Sequence, residues 1–351
     1  MKKILKKSLT VSLVLVFLLG AAFIYSSPAE ASYEGRYVGY SWAGEANGVA
    51  REDASRYIKT VLELDKDGII TDANMWFFVQ NDGYWTTRQS GNAYIDVDFD
   101  VNPTMAVPGE NYEAGDSMFT IYTTDMMAFY ATAVNNDGVI AAVMVDPITR
   151  YQFEMKFDAD FDFSRPVGDL TIGSDYVTPT IRTSGSGLLK PDTWDDLENS
   201  TIFDVHGWSH VVNMTGELEG IDTDSTIEEK LTALGVEFAD GQPQPKEVEY
   251  GYFGTGGWEG NFEAIEEYLI GRDATEHTSL IDWSIDRYAG GVNEDNIFGV
   301  DVESGATRTA QNSIDTLSGA TVRVSRESTS YQRALVAAGI LEESDVVIGR
   351  F

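Results

Sequence analysis

Two stretches of the chain alternate apolar runs with short turn sequences in the way that antiparallel hairpins do. The runs are rich in β-branched and aromatic residues, and each pair is separated by a turn that ends in Asp-Gly. They are residues 57–64 and 69–79 around DKDG at 65–68, and residues 129–134 and 139–145 around NNDG at 135–138. The pattern predicts two hairpins that form a weak internal repeat, not a solenoid.

Helical patterns lie further along the chain. Residues 193–197 suit a short helix with an acidic first turn, and Thr226 with Glu229 forms a possible capping box for a helix over 225–234. Residues 261–270 place Phe262, Ile265 and Leu269 on one helical face. The fold class predicted is therefore α+β, with a β-hairpin-rich N-terminal part and a C-terminal α+β part.

Breaks in the pattern suggest domain boundaries. Three prolines and the sequence SGSG mark 166–192 as a connector, and 240–245 is a second break that contains proline. We therefore expect a β-rich domain at 32–165, a connector and mixed region at 166–246, and a C-terminal unit at 247–351.

The first 31 residues have the pattern of a secretory signal peptide. Four lysines precede an apolar run at 9–25, and Ala29-Glu30-Ala31 forms a small-x-small cleavage site. Secretion with cleavage before Ser32 is the expectation. The alternative is an uncleaved anchor at the outer face of the cytoplasmic membrane, because the apolar run approaches the ~18 residues that span a bilayer.

Charge and cysteine content exclude several functions. The chain of 351 residues has 24 Lys and Arg against 57 Asp and Glu, a formal net charge of −33. No nucleic-acid partner is expected, because phosphates need a basic surface. The chain contains no cysteine, which excludes disulfides, thiolate metal sites, iron–sulfur clusters and cysteine nucleophiles.

Three weaker motifs do not support a site strongly. Asp65 and Asp67 lack the later acidic ligands of a calcium loop, so we interpret them as turn residues. His206 and His210 have no evident third ligand, and ordinary polar or packed histidines explain them better than a metal. The glycine-rich segment 251–260 does not follow a clear strand and misses dinucleotide-loop spacing. It still suits a close approach of the backbone to a cofactor.

The strongest motif occurs twice near the C-terminus. Residues 301–307 read DVESGAT and residues 315–321 read DTLSGAT, so both satisfy D-x-x-S-G-A-T. This pattern resembles the flavinylation motif of the FMN-binding domain family. That family includes the C subunit of sodium-pumping NADH:quinone reductase, the G subunit of Rnf complexes and secreted electron carriers. The sequence YEGRYVG at 33–39 and the helical ALVAAG at 334–339 also resemble the family's opening hairpin and closing helix.

The resemblance implies FMN linked through a phosphoester to the final threonine, attached by a flavin transferase that uses FAD. It implies redox donors and acceptors, either proteins or small extracellular molecules, as partners. The long middle of the chain is not covered. Either the flavin domain contains a large insertion, or 32–165 is a degenerate copy of it.

Each position of the second motif has a chemical reason. Thr321 supplies the hydroxyl that a phosphoester needs. Gly319 and Ala320 let backbone N–H groups approach a phosphate, and Ser318 can donate a hydrogen bond to it. Asp315 can orient the loop or the nucleophile during attachment.

We favour Thr321 over Thr307 as the attachment site. Apolar neighbours, Leu317 among them, precede Thr321. A helix is expected to follow, with a capping box at Thr329 at its start and Gly339 at its end. Thr307 has polar neighbours and no helix after it. The position two after Thr321 holds Arg323 where many family members have a small hydroxyl residue, and Ser325 can take that role.

Other residues extend the predicted site. Arg323 and Arg326 add positive charge that suits a phosphate. Most aromatic residues belong in the core, but three are candidates to stack on the flavin ring: Trp258, Trp283 and Tyr331.

The expected function is extracytoplasmic electron transfer through covalent FMN. One alternative is a flavin-dependent reductase of a small substrate, with His206, His210 or His277 as proton donor. The other is a non-catalytic surface protein with a vestigial flavin loop.

Overall fold

The computed structural model describes residues 32–107, 113, 115–123, 125, 128–145, 151–181, 200–201, 216–254, 256–281, 324–349 and 351. The β-strands in these residues are β1 Gly35–Trp42, β2 Arg56–Leu64, β3 Ile70–Asn81, β4 Tyr84–Thr87, β5 Ala93–Val97, β6 Phe119–Thr123, β7 Phe129–Val134, β8 Ile140–Val145, β9 Tyr151–Phe157, β10 Thr178–Ile181, β11 Phe238–Ala239, β12 Gln242–Pro243 and β13 Lys246–Tyr252. The α-helices are α1 Ile227–Ala233, α2 Gly257–Leu269 and α3 Ser325–Ala337. Ten strands precede the first helix and three lie between α1 and α2, an order consistent with the predicted α+β class.

Both predicted hairpins form. In the first, β2 pairs antiparallel with β3, and the Asp65 carboxylate accepts hydrogen bonds of 2.9 Å from the N–H groups of Asp67 and Ile69. The second hairpin, β7 with β8, uses Asn135 in the same way. Gly68 and Gly138 take positive φ values of 89° and 78°, which a side chain would strain. The acidic residues at 65–67 therefore belong to a turn, as predicted.

The first sheet has the order β1-β2-β3-β4 and carries two helices on one face. Both α2 and α3 pack on it, and the buried side chains between them form one core, which includes Ile58, Leu62, Phe77, Phe262, Ile265, Tyr331 and Leu335. Strand β1 approaches α3 so closely that a Cβ at Gly39 would collide with the helix backbone at Ser330 and Ala334. A contact this close fixes the helix on the sheet.

The second sheet has the order β10-β9-β8-β7-β13 and is covered on both faces. Helix α1 and the segment around Leu170 pack on one side, and apolar side chains of the β5–β6 ribbon pack on the other. Burial on both faces explains why every residue of β8 is buried and why its sequence, IAAVMV, does not alternate.

The helices predicted over 225–234 and 261–270 form, and their ends are partly as predicted. Thr226 and Glu229 form the predicted capping box, with N–H to side-chain distances of 2.7 and 3.1 Å. Helix α2 begins at Gly257, four residues earlier than predicted. The glycine-rich segment at 251–260 does follow a strand, β13, contrary to expectation. That strand was missed because its sequence, KEVEYGY, carries three charged residues.

The first part of the expected connector is structured. Residues 166–181 contribute β10 to the second sheet and bury Val167, Leu170, Ile172 and Val177 in its core. Pro179 fits because β10 is an edge strand. The rest of that segment, 182–192, and the short helix predicted at 193–197 lie outside the described residues.

Candidate functional site

The predicted attachment loop lies outside the described residues. The structure does not describe Asp315, Leu317, Ser318, Gly319, Ala320, Thr321, Arg323 or the second-choice Thr307, nor His206, His210 and Trp283. Of the predicted cofactor-binding residues, Ser325 is described, as the first residue of α3. The described part of the site consists of the residues that pack around the start of α3, and we call these residues the frame.

Chain connectivity limits where Thr321 can be. It precedes Val324, the first described residue of this segment, by three positions. Three extended residues span at most about 11 Å. The proposed attachment residue is therefore close to the start of α3 along the chain.

The chain also leaves the described region at the same place. Leu280 donates its N–H to Ser328 Oγ over 3.1 Å, and the hydroxyls of Ser279 and Ser328 lie 3.0 Å apart. Ser328 is in the first turn of α3. The whole segment 282–323, with both copies of the motif, therefore begins and ends beside that turn.

The N-terminal half of α3 is polar in sequence and buried in the structure. Residues 325–330 read SRESTS, and all six are buried. Two contacts tie them to the first sheet: Ser41 Oγ donates to the Arg326 carbonyl oxygen over 2.7 Å, and the hydroxyls of Thr60 and Ser330 lie 2.6 Å apart. The sheet thus holds the start of the helix through polar contacts.

Residues 347–349, which we call the C-terminal strap, pack against the other side of this helix. The Thr329 hydroxyl donates to the Val347 carbonyl oxygen over 2.6 Å and accepts from Gly349 N–H over 2.8 Å. Gln332 Oε1 accepts from Val347 N–H over 3.0 Å. A Cβ at Gly349 would collide with the backbone of Ser325 and Arg326.

These contacts correct the predicted start of the helix. Thr329 is not an N-cap: α3 begins four residues earlier, and the Thr329 hydroxyl serves the C-terminal strap instead. Gly339, with φ +74°, follows the end of the helix as predicted, and its N–H reaches the Val336 carbonyl oxygen at 2.9 Å. The start was missed because a hydroxyl used in a tertiary contact has the same sequence pattern as a cap.

Arg326 does not present a free positive charge, contrary to expectation. Its Nε donates to Glu327 Oε1 over 3.0 Å, and its guanidinium carbon lies 4.8 Å from the centre of the Phe77 ring and 5.1 Å from that of Trp258. Arg88 lies over the same two rings, at 4.6 and 5.4 Å. Two guanidinium groups therefore converge on one aromatic pair below the start of α3, where they offer cation–π stabilisation.

Two atoms of this cluster have no hydrogen-bond partner among the described residues. They are Glu327 Oε2 and Trp258 Nε1, on side chains that are 0% and 3% exposed. A buried polar atom without a partner is costly, so such atoms are rare in native proteins. One is an acceptor and the other a donor, and both belong to side chains that contact Arg326.

The aromatic candidates for flavin stacking are core residues where they are described. Trp258 packs edge-on against Phe77 and Phe262. Tyr331 is fully buried and donates its hydroxyl hydrogen bond to the His277 carbonyl oxygen. Burial raises the Tyr331 pKa above its ordinary value of 10.0. Neither ring face is open for stacking.

His277 is the histidine that the structure describes among the three candidate proton donors. Its Nε2 lies 2.8 Å from Arg272 Nη1, which can only donate. The ring nitrogen that faces Arg272 is therefore an acceptor, a poor arrangement for delivering a proton. This geometry gives no support to the reductase alternative.

A pocket of about 480 Å³ lies along β1, beside the second half of α3. Its most prominent charged residue, Arg333, is already paired with Glu45 and Glu343 and donates to the Tyr40 carbonyl oxygen over 2.9 Å. The pocket contains none of the predicted site residues, and we place the candidate site at the start of α3 instead.

The described residues contain neither a metal-binding cluster nor a membrane-spanning helix. They hold no group of three or more His, Asp or Glu side chains placed to bind a metal. None of the helices described is both long and apolar enough to cross a bilayer.

Comparison with known proteins gives no relative. No protein-family model, no curated protein and no solved structure matches the chain.

Proposed function

We propose that this protein is an extracytoplasmic electron carrier whose FMN is joined by a phosphoester to Thr321. The observation that carries the proposal is the sequence DTLSGAT at 315–321, followed within four residues by α3. The signal-peptide pattern at 1–31 supports a place outside the cytoplasmic membrane. Covalent attachment suits that location, because a dissociable cofactor would be lost by dilution.

Attachment transfers the FMN part of FAD to the hydroxyl of Thr321. The bond between phosphorus and the Thr321 hydroxyl oxygen forms as the pyrophosphate bond of FAD breaks, AMP leaves and the hydroxyl proton is released. The transfer needs a loop that a separate transferase can reach. The described residues on either side of 282–323 meet at the first turn of α3, which the first sheet holds through Ser41.

The described frame fits a bound FMN in two respects. Helix α3 begins four residues after Thr321, and the N-terminus of a helix favours a phosphate electrostatically. The buried atoms Glu327 Oε2 and Trp258 Nε1 offer one acceptor and one donor that have no partner among the described residues. FMN supplies the redox chemistry, and the protein supplies its attachment and surroundings.

Mass spectrometry tests the proposal. The protein is produced with a flavin transferase, exported, and its intact mass and flavin-bearing peptide are measured. We expect one FMN on the peptide that contains Thr321, and colour that persists in denaturant. Thr321→Val should remove it, because valine keeps the shape but lacks the hydroxyl.

Thr307→Val is the matched control, since it removes a hydroxyl from the same S-G-A-T context. A yellow Thr321→Val protein together with a colourless Thr307→Val protein would move the attachment to Thr307. Half loading in both variants would mean two flavins. Wild-type protein without added flavin mass would refute electron transfer through covalent FMN and favour the vestigial-loop alternative.

A further inference from the structure

The cluster beneath the first turn of α3 contains a charge that the described fold does not fully use. Glu327 is completely buried, and only one of its carboxylate oxygens has a partner, the Arg326 guanidinium at 3.0 Å. Glu327 Oε2 has none among the described residues. A buried carboxylate oxygen normally accepts at least one hydrogen bond, so the native state needs a donor at this position.

A second unpaired atom, Trp258 Nε1, belongs to a ring that contacts the same guanidinium. The Trp258 ring centre is 5.1 Å from the Arg326 guanidinium carbon, and the indole Nε1 lacks an acceptor in the described part of the chain. One buried acceptor and one buried donor, on two side chains that both contact Arg326, match a ligand edge that carries an N–H beside a carbonyl. They do not match a phosphate, which offers acceptors only.

Glu327 is close in sequence to the proposed attachment site. Glu327 is six positions after Thr321 and in the turn where the segment 282–323 begins and ends. The isoalloxazine ring of FMN has such an edge: a ring N–H flanked by two carbonyl groups.

We propose that Glu327 and Trp258 bind this edge of the flavin. Glu327 Oε2 accepts a hydrogen bond from the ring N–H, and Trp258 Nε1 donates one to a neighbouring ring carbonyl oxygen. The inference rests on the proposed FMN attachment and adds to it the residues that set the redox potential. A carboxylate beside the ring disfavours added electron density, and an indole N–H favours it.

The test uses full-length holoprotein with covalent FMN. The midpoint potential is measured by spectroelectrochemical titration for wild type, Glu327→Gln and Trp258→Phe. Glutamine keeps an oxygen for Arg326 Nε but removes the charge, so we expect a more positive potential. Phenylalanine keeps an aromatic ring but removes the donor, so we expect a more negative one.

Matched controls separate local from general effects. Glu343→Gln also removes a carboxylate charge that pairs with an arginine of α3, Arg333, but lies by the other half of the helix. Trp85→Phe changes a tryptophan that is 41% exposed. Both controls should keep the wild-type potential.

The measured potentials and the flavin mass distinguish failure of this inference from failure of the proposed function. Fully loaded Glu327→Gln and Trp258→Phe proteins with wild-type potentials would overturn the inference and assign the two atoms to ordered water, with FMN attachment intact. Wild-type protein without flavin mass would instead refute the proposed function itself. If Glu327→Gln fails to fold, Trp258→Phe decides: a negative shift supports the inference and an unchanged potential overturns it.

Discussion

The hydroxyl of Thr329 donates a 2.6 Å hydrogen bond to the carbonyl oxygen of Val347 and so joins the middle of α3 to the C-terminal strap. The same oxygen accepts from the N–H of Gly349 at 2.8 Å. This one side chain satisfies two backbone groups of a segment that is not part of any described sheet. It therefore links the last residues of the chain to the start of the helix that follows the predicted flavin loop.

Thr329→Val should destabilise the protein by about 1–3 kcal/mol, because it leaves the Val347 carbonyl oxygen and the Gly349 N–H unpaired at similar volume. Urea unfolding measures the change. Thr329→Ser keeps the hydroxyl and should lose much less. Equal losses in the two variants would show that the methyl group matters and the hydrogen bonds do not.

Gly39→Ala should lower the free energy of unfolding more than an alanine substitution at a glycine with open space around it. A Cβ at this position collides with backbone atoms of Ser330 and Ala334, which cannot move without shifting α3. Gly83→Ala is the control: its φ of +82° makes alanine strained there, but nothing lies within 4 Å of the added atom. We expect a loss of about 1 kcal/mol for Gly83→Ala and a clearly larger loss for Gly39→Ala in thermal unfolding.

The hairpins and the α2 face could be predicted because their signals are local. Each turn of the Asp-Gly type is formed by a side chain that bonds to backbone groups two and four residues ahead, such as Asp65. The apolar spacing of Phe262, Ile265 and Leu269 likewise needs only the helical period, and all three are buried.

The frame of the candidate site could not be predicted in the same way. The sequence SRESTS at 325–330 has the composition of an exposed turn, yet it is buried because its polar groups bond to Ser41, Thr60 and the C-terminal strap. Those partners lie far away along the chain. Glu327 in particular gave no sequence signal, because a glutamate in a first helical turn is usually a solvent-exposed residue that favours the helix dipole.

Glu266 should make stability depend on pH near neutrality. Burial raises its pKa from 4.5 to about 7, while Met75 N–H donates to its Oε1 over 2.6 Å. The folded state therefore binds the proton more tightly than the unfolded state. That contribution is fully present below pH ~4.5 and is lost as the pH rises through about 7.

Glu266→Gln removes this titration and keeps an oxygen for Met75. Relative to wild type, its melting temperature should rise as the pH increases from 5 to 8. Glu63→Gln, a change at an exposed pair with Arg36, should show no such trend. A constant difference between Glu266→Gln and wild type across this range would contradict the assignment.

Lys230 should give the opposite signature at higher pH. It is fully buried beside the second sheet, where its Nζ lies 3.4 Å from Met155 Sδ. Burial lowers its pKa from 10.5 to about 7. The folded state binds this proton less tightly than the unfolded state. The resulting cost is absent above pH ~10.5, grows as the pH falls towards about 7, and is constant below that.

Lys230→Met replaces the amine with an apolar chain of similar length and should remove that cost. The variant should be more stable than wild type by up to about 4 kcal/mol at pH 7, and the gain should shrink towards pH 10. Guanidinium unfolding at both pH values measures it. Lys66→Met, at an exposed residue, is the control and should show little change between them. A gain that is the same at pH 7 and pH 10 would mean that improved packing, and not the buried amine, explains the effect.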